Sequence, residues 1–224
     1  MNDIDKNLRT ISEKIATTAR KSGRDPAAVH LCAVTKTHSE TTVREALQAG
    51  QRLFGENRVQ EAEAKYASLR ASYPDLELHL IGPLQTNKAE DAVRLFDVIE
   101  TLDRQHLAEA LAKAIKKTGC TPRLYVEVNI GNEPQKAGIE PAKLDEFLAF
   151  CRGCGLTIAG LTCIPPQEAD PAPFFRQLRK LADDRKLPHI SMGMSADFEV
   201  AIACGATEVR LGSAIFGPRP PRHG

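Results

Sequence analysis

Eight short apolar runs alternate with eight stretches of helical pattern, and this alternation restricts the fold more than any other feature of the chain. The apolar runs fall at residues 30–35, 52–55, 76–81, 96–101, 123–129, 156–163, 189–192 and 207–211. Each is four to eight residues long and bounded by turn residues, as buried strands are. The helical stretches fall at 2–22, 39–49, 57–72, 87–95, 104–118, 141–152, 171–185 and 196–204. The first shows the pattern most clearly: Ile4, Leu8, Ile11, Ile15 and Ala19 recur at spacings of three and four, and Gly23 and Pro26 stop the helix. Strands separated by helices pair in parallel. Eight such units predict a closed (β/α)₈ TIM barrel. A doubly wound open sheet is the alternative, but no Gly-x-Gly-x-x-Gly follows the first run. Without a linker, low-complexity stretch or short-period repeat, the expectation is one domain over 1–224.

Charge and composition narrow the function. With 30 basic against 29 acidic residues the net charge is +1, so no polyanion is favoured as a partner. Trp is absent and only three Tyr occur, which leaves no stacking platform for single-stranded nucleic acid. No apolar run approaches the roughly 20 residues that span a bilayer. The N-terminus carries both charge signs and does not read as a targeting peptide. The cysteines at 32, 120, 151, 154, 163 and 204 are scattered, several within apolar runs, so reduced thiols and a cytoplasmic location are expected.

In a barrel, chemistry gathers where strands end. The predicted exits offer Lys36, Gly55-Glu56-Asn57, Gly82-Pro83-Leu84-Gln85, Asn129, Pro165-Pro166, Gly193-Met194-Ser195 and Gly212-Ser213. Lys36 closes the run His30-Leu31-Cys32-Ala33-Val34-Thr35. Its plain alternative is a solvated strand-end lysine, but the strand before it is too apolar for a surface edge. A lysine desolvated in a barrel mouth keeps free amine to attack a carbonyl.

The last strands offer an anion cradle. Ser195 reads as the N-cap of the helix from 196, with Asp197 in its first turn. Gly212 and Ser213 follow the eighth strand, where barrels often bind phosphate. Arg210 lies inside the strand-like Thr207-Glu208-Val209-Arg210-Leu211 and must be paired or touch a ligand. Glu208 or another carboxylate is one partner; a pyridine nitrogen is the other, and a guanidinium there would weaken the ring as an electron sink. A Schiff-base lysine with a phosphate cradle suggests pyridoxal 5'-phosphate (PLP). Cys151-Arg152-Gly153-Cys154 falls at a predicted helix end with no second pair for zinc, and the six His show no metal-ligand spacing.

Together these segments resemble the pyridoxal phosphate homeostasis protein family, single-domain PLP-binding barrels related to the N-terminal domain of alanine racemase. The resemblance runs nearly end to end: Ala33-Val34-Thr35-Lys36, Phe54-Gly55-Glu56-Asn57 with Val59-Gln60-Glu61, His79-Leu80-Ile81-Gly82-Pro83-Leu84-Gln85-Thr86-Asn87-Lys88, Val128-Asn129-Ile130 with Lys136-Ala137-Gly138, Ser191-Met192-Gly193-Met194-Ser195 with Asp197-Phe198-Glu199, and Val209-Arg210-Leu211-Gly212 with Ile215-Phe216-Gly217. It implies a Schiff base to PLP on Lys36, with Asn57 on a cofactor face. It places Ser195, Gly212 and Ser213 at the phosphate with Met194 nearby, and Arg210 at the ring nitrogen. Lys136 matches a family lysine. Two stretches depart from the family pattern: Thr37-His38-Ser39-Glu40 after Lys36, where Pro or Tyr-Pro is common, and Gly217-Pro218-Arg219-Pro220-Pro221 near the end, which lacks a Tyr.

Three function classes follow. The first is a cytoplasmic PLP-binding homeostasis protein that buffers or delivers the cofactor, to apo PLP-dependent enzymes among others, with little catalysis. The second is a PLP-dependent racemase, which needs an acid/base on each face of the substrate carbon; Tyr66, Tyr73 and Tyr125 sit poorly for that, and with one domain expected over 1–224 there is no room for a second to supply one. The third is a class I aldolase using Lys36 directly, for which no carboxylate–lysine relay is evident beside Lys36. A monomer is expected.

Overall fold

The structure, a computed structural model, describes residues 3–217. The departure at 218–221 lies outside the described residues. The strands are β1 His30–Val34, β2 Leu53–Glu56, β3 Glu77–Leu80, β4 Val98–Leu102, β5 Arg123–Glu127, β6 Ile158–Thr162, β7 His189–Ser191 and β8 Glu208–Leu211. They pair in parallel in chain order, and β1 closes on β8 with His30 opposite Glu208 and Ala33 opposite Leu211. The chain therefore forms the expected closed (β/α)₈ barrel.

Helix α1 Asp3–Lys21 precedes the barrel. The outer layer is α2 Glu40–Gln48, α3 Val59–Ser72, α4 Ala89–Leu95, α5 Gln105–Thr118, α6 Leu144–Gly153, α7 Pro171–Asp184 and α8 Phe198–Ala203, followed by the short α9 Ser213–Phe216. Helix α1 buries Leu8, Ile11, Ile15 and Ala19 of the predicted stripe, with Ile4 partly buried, and packs on α8 and α9. Stripe positions such as these each stabilise by about 1.5–3 kcal/mol when a Leu or Ile is fully buried.

Every predicted strand is present, with ends moved by two residues or fewer. The fourth begins at Val98 because Phe96 still belongs to the preceding helix end, its N–H bonded to Ala92 O. Asp97 Oδ2 takes the Leu78 N–H at 2.8 Å, fastening β4 to β3.

The helix read from Ser195 is corrected. It starts at Phe198, with Asp197 at the N-cap position, because the Met194 N–H bonds Asp197 Oδ1 at 2.6 Å and closes a turn first. Ser195 is thus a loop residue and caps nothing. Cys151 and Cys154 are free thiols at the end of α6.

The strands are buried on both faces, yet several alternate polar with apolar. Leu78, Leu80, Leu124, Val126, Ile190, Val209 and Leu211 are buried in the apolar layer beneath the helices. Their alternates, Glu77 and His79, Arg123 and Tyr125, His189 and Ser191, Glu208 and Arg210, share the other face, because side chains two residues apart in a strand do. The barrel interior is accordingly a charge network where branched aliphatics are the common filling.

Candidate functional site

A cavity of about 330 Å³ opens at the C-terminal ends of the strands, within the usual range for small-molecule sites. Lys36, Asn57, Met194, Ser195, Arg210, Gly212 and Ser213 all line it, so the structure brings every sequence-predicted site residue together. Val34, His38, Ile81, Ile164 and Ala196 complete the wall. Ile164 and Met194 are two of the three exposed large hydrophobics among the described residues, which makes the rim apolar.

Lys36 follows β1 in a turn held from both sides. Before it, Thr35 is fully buried, and its Oγ1 donates to Glu56 Oε1 at 2.7 Å. Because that spends its one proton, the Tyr66 hydroxyl at 2.6 Å donates to it. After it, Thr37 takes φ +68°, a left-handed conformation unusual for a β-branched residue, and its N–H donates to Glu61 Oε1 at 2.5 Å. Lys65 of α3 joins the two sides: its Nζ donates to Thr35 O at 2.8 Å and pairs with Glu56 at 2.5 Å and Glu61 at 2.9 Å. Burial pushes the Glu56 carboxyl up, and Lys65 only partly offsets this.

Asn57 enters the wall from the end of β2. Its side-chain Oδ1 is buried without a hydrogen-bond partner among the described residues. Gly82 backs it so closely that a Cβ there would lie 2.4 Å from Asn57 O. Opposite, Ser195 Oγ and Ser213 Oγ stand 3.3 Å apart. Gly193 at φ +94° makes the bend between β7 and this loop, and a Cβ on it would meet Ala201 Cβ at 2.5 Å.

Arg210 forms the floor. Its Nη1 donates to Thr162 Oγ1 at 2.9 Å and Ser191 Oγ at 2.6 Å, and its Nη2 to Cys163 O at 3.0 Å. The nearest carboxylate oxygen is Glu100 Oε2 at 3.7 Å, so Arg210 is paired from below, and it also lines the cavity. Glu208, the partner considered from sequence, is linked to it by hydrogen bonds through Ser191.

Below Arg210 lies a network that sequence reasoning missed. His79 Nδ1 stands 2.7 Å from Glu100 Oε1 and 3.3 Å from Glu208 Oε2, and Nε2 stands 2.8 Å from Glu77 Oε1. Burial alone would lower the His79 pKa, but the Glu208 charge and the bonds to three carboxylates lift it well above the ordinary value. Cys32, His79 and Glu208 also bring ligand atoms within 4.8 Å of one another. Both ring nitrogens of His79 already face carboxylates, and the cationic imidazole that results has no lone pair to coordinate with. The cluster is a charge network. His38 was also missed: it lines the cavity and packs on Phe216, ring centroids 4.9 Å apart. Lys136 lies apart from this wall, paired with Glu133 at 2.5 Å and donating to Pro165 O.

Beside the cavity, and sharing Asn57 with it, runs a groove of about 660 Å³ lined by Arg58, Gln60, Gln85, Lys88 and Arg104.

The family model for the alanine racemase N-terminal domain matches residues 6–220. Pyridoxal phosphate homeostasis proteins of Aquifex aeolicus and Escherichia coli K12 are each 39% identical, over 95% of this chain and 96% of the first and 98% of both chains for the second. The chain belongs to the pyridoxal phosphate homeostasis protein family. A solved member, PipY of Synechococcus elongatus with PLP bound, is 39% identical over 92% of this chain and all of its own, with a TM-score of 0.79. Alanine racemase of Clostridium difficile superposes with a TM-score of 0.71 at 16% identity, and this chain covers 58% of it; that likeness is one of fold. No described helix is long and apolar enough to cross a membrane.

Proposed function

We propose that this chain is a single PLP-binding barrel domain that holds the cofactor on Lys36 and serves PLP homeostasis, by buffering and delivery, with little turnover of its own. The observation that carries the reading is the convergence of an amine, two serine hydroxyls and a fixed guanidinium on one cavity. PLP would supply an aldehyde for a Schiff base, a phosphate and a pyridine ring. The cavity suits all three. Lys36 would meet the aldehyde from its clamped turn. Ser195 and Ser213, 3.3 Å apart, are spaced to donate to one phosphate, beside Gly212, where the backbone approaches closely. The unpartnered Asn57 Oδ1 offers an acceptor on a cofactor face. Arg210 offers N–H groups to a ring nitrogen and cannot itself be deprotonated, which disfavours the pyridinium form that carbanion chemistry needs.

The same wall supports holding over turnover. None of the three tyrosines lines the cavity: Tyr66 is buried against Thr35, Tyr125 is stacked on His189, and Tyr73 follows α3. Among the described residues no carboxylate side chain lines it either. The apolar rim and the adjoining groove would leave the cofactor within reach of a recipient, which favours delivery to apo PLP-dependent enzymes; a monomer in the cytoplasm is the rest of the proposed reading.

The test is an absorbance spectrum of purified protein before and after borohydride, with peptide mapping, followed by amino-acid turnover assays. A band that disappears and leaves a pyridoxyl group on Lys36, with negligible turnover, is expected. No band after added PLP would remove the cofactor reading and favour an aldolase; rapid, specific turnover of one amino acid would make the chain an enzyme.

A further inference from the structure

We propose that Glu208, acting through Ser191 together with His79 and Glu100, is the positioning group for Arg210, and that its charge sets how the guanidinium meets the ring nitrogen of a ligand in the cavity. The inference rests on the PLP reading of that cavity.

The hydrogen bonds between Arg210 and Glu208 run in one direction. Both hydrogens of Arg210 Nη1 are spent, on Thr162 and on Ser191. Ser191 Oγ, accepting from Arg210, turns its own hydrogen to Glu208 Oε1 at 3.0 Å. Glu208 is fixed in turn, because its Oε2 faces His79 Nδ1, the same N–H that meets Glu100. The chain of contacts then leaves the interior through Glu77, which pairs with Arg123 at the opposite end of the barrel. Three carboxyl groups thus face three cations, His79, Arg123 and Arg210.

Two of those carboxyls, Glu100 and Glu208, are buried and meet the same His79 Nδ1. Two adjacent buried carboxylates do not both ionise readily. Glu100 Oε2 is buried with no hydrogen-bond partner among the described residues, as fits a pair that shares one proton. Its nearest cation is Arg210. When the pair holds that proton, Ser191 loses an anionic acceptor and the cavity floor gains positive charge. When the proton leaves, Ser191 draws on Arg210 and the floor is neutralised.

The remaining groups facing Glu208 do not supply this switch. From β1, Cys32 is held neutral, its thiol pushed up by burial. From β5, Tyr125 is likewise pushed up by burial. Glu127, also on β5, is raised by burial, with Asp103 adding to the rise and Arg210 opposing it. From β7, His189 is pushed down by burial and by Arg123, opposite to His79 on β3. Burial and Glu100 raise Glu208 to about 7, while His79 and Arg210 overcome burial to hold Glu100 at about 2.

The experiment follows the absorbance of PLP-loaded protein from the acid to the alkaline side of neutrality, with retention checked by borohydride. The wild type is expected to show a spectral inflection near neutrality, and Glu208→Gln to hold PLP without it. The same inflection in both proteins would overturn the proposal. Ser191→Ala cuts the hydrogen-bonded link between Arg210 and Glu208 with a smaller change and is expected to lose the inflection too, which keeps the test decisive if the Gln variant does not fold. In ligand-free protein, the side-chain ¹⁵N resonances of Arg210 should shift with pH in the wild type and not in Ser191→Ala; equal shifts would count against the proposal. That arm stands even if PLP never binds, so failure of the cofactor reading and failure of this inference remain distinguishable.

Discussion

Lys65 Nζ donates to the carbonyl of Thr35 at 2.8 Å, so the residue before Lys36 is held by a second lysine that does not itself line the cavity. The same ammonium meets Glu56 and Glu61, and Glu61 takes the Thr37 N–H on the other side. The peptide on both flanks of Lys36 is therefore bolted to α3. A reacting amine on a four-carbon stem gains from such an anchor, because side-chain freedom is the main obstacle to placing it.

Replacing Lys65 with Met leaves Glu56, whose side chain is 0% exposed, without its cation. Breaking a buried pair from one side costs about 3–5 kcal/mol. Denaturant unfolding should show a loss of that order, and Lys65→Met/Glu56→Gln should recover part of it. Because the turn loosens, stopped-flow absorbance should also show slower capture of PLP by Lys65→Met. An unchanged capture rate would mean that the clamp serves stability alone.

A Cβ on Gly82 would stand 2.4 Å from Asn57 O and 2.7 Å from Asn57 Cα, both backbone atoms that cannot swing aside. Gly82→Ala should therefore displace Asn57 from the cavity wall, costing about 1–3 kcal/mol in stability. It should weaken PLP retention several-fold on dialysis. Gly153→Ala is the control: it is helical and a Cβ there meets nothing within 4 Å, so neither quantity should fall.

Much of this was legible in the sequence, and the exceptions share a cause. The eight strands follow from the apolar runs, and Lys36, Ser195, Gly212 and Ser213 from their exits, since barrel strands deliver their ends to one face; Arg210 stood out as a charge inside a strand, and Asn57 and Met194 took their site roles from the family resemblance. Ser195 was misread as a cap because the Met194–Asp197 hydrogen bond delays the helix by two residues, a competition that residue types alone do not decide. His38 falls where the chain departs from the family pattern, so no motif pointed to it. The buried network had a usable signal: Glu77-Leu78-His79-Leu80 and Glu208-Val209-Arg210-Leu211 alternate charge with aliphatics inside strands that helices cover, so the charged face had to turn into the barrel. Which groups meet across it depends on barrel closure and register, which no local pattern encodes.

Arg210→Glu is the natural variant for testing the ring-nitrogen argument, and from sequence it should raise racemase-type side activity. The structure adds a complication: it would set a third carboxylate beside Glu100 and Glu208. Like charges there lift one another's pKa values and weaken the fold. Arg210→Gln removes the guanidinium without that penalty. With PLP retained, it should raise racemisation measured by deuterium exchange at the amino-acid α-carbon. No increase would mean that the missing second base, rather than Arg210, limits turnover.

The buried carboxyls and His79 give the fold a pH dependence with a definite sign. Glu100 is held at about 2, below its unfolded value, so its contribution is present above the ordinary carboxylate range and lost as pH falls toward 2. Glu208, raised to about 7, acts oppositely: the folded state keeps a proton that the unfolded chain releases, and stability falls as pH rises from the ordinary carboxylate range to about 7. His79 lies well above its ordinary value, so its contribution is complete below about 6.5 and lost as pH rises through the folded value. Denaturation midpoints should therefore be highest on the mildly acidic side and decline through neutrality into alkali. Glu208→Gln should flatten the segment up to about 7, and His79→Gln the alkaline segment beyond it, though the latter starts from a lower midpoint because three carboxyls lose their shared cation. Parallel profiles for His79→Gln and the wild type would show that the imidazole is neutral in the folded protein, against the charge balance drawn from its three carboxylate contacts.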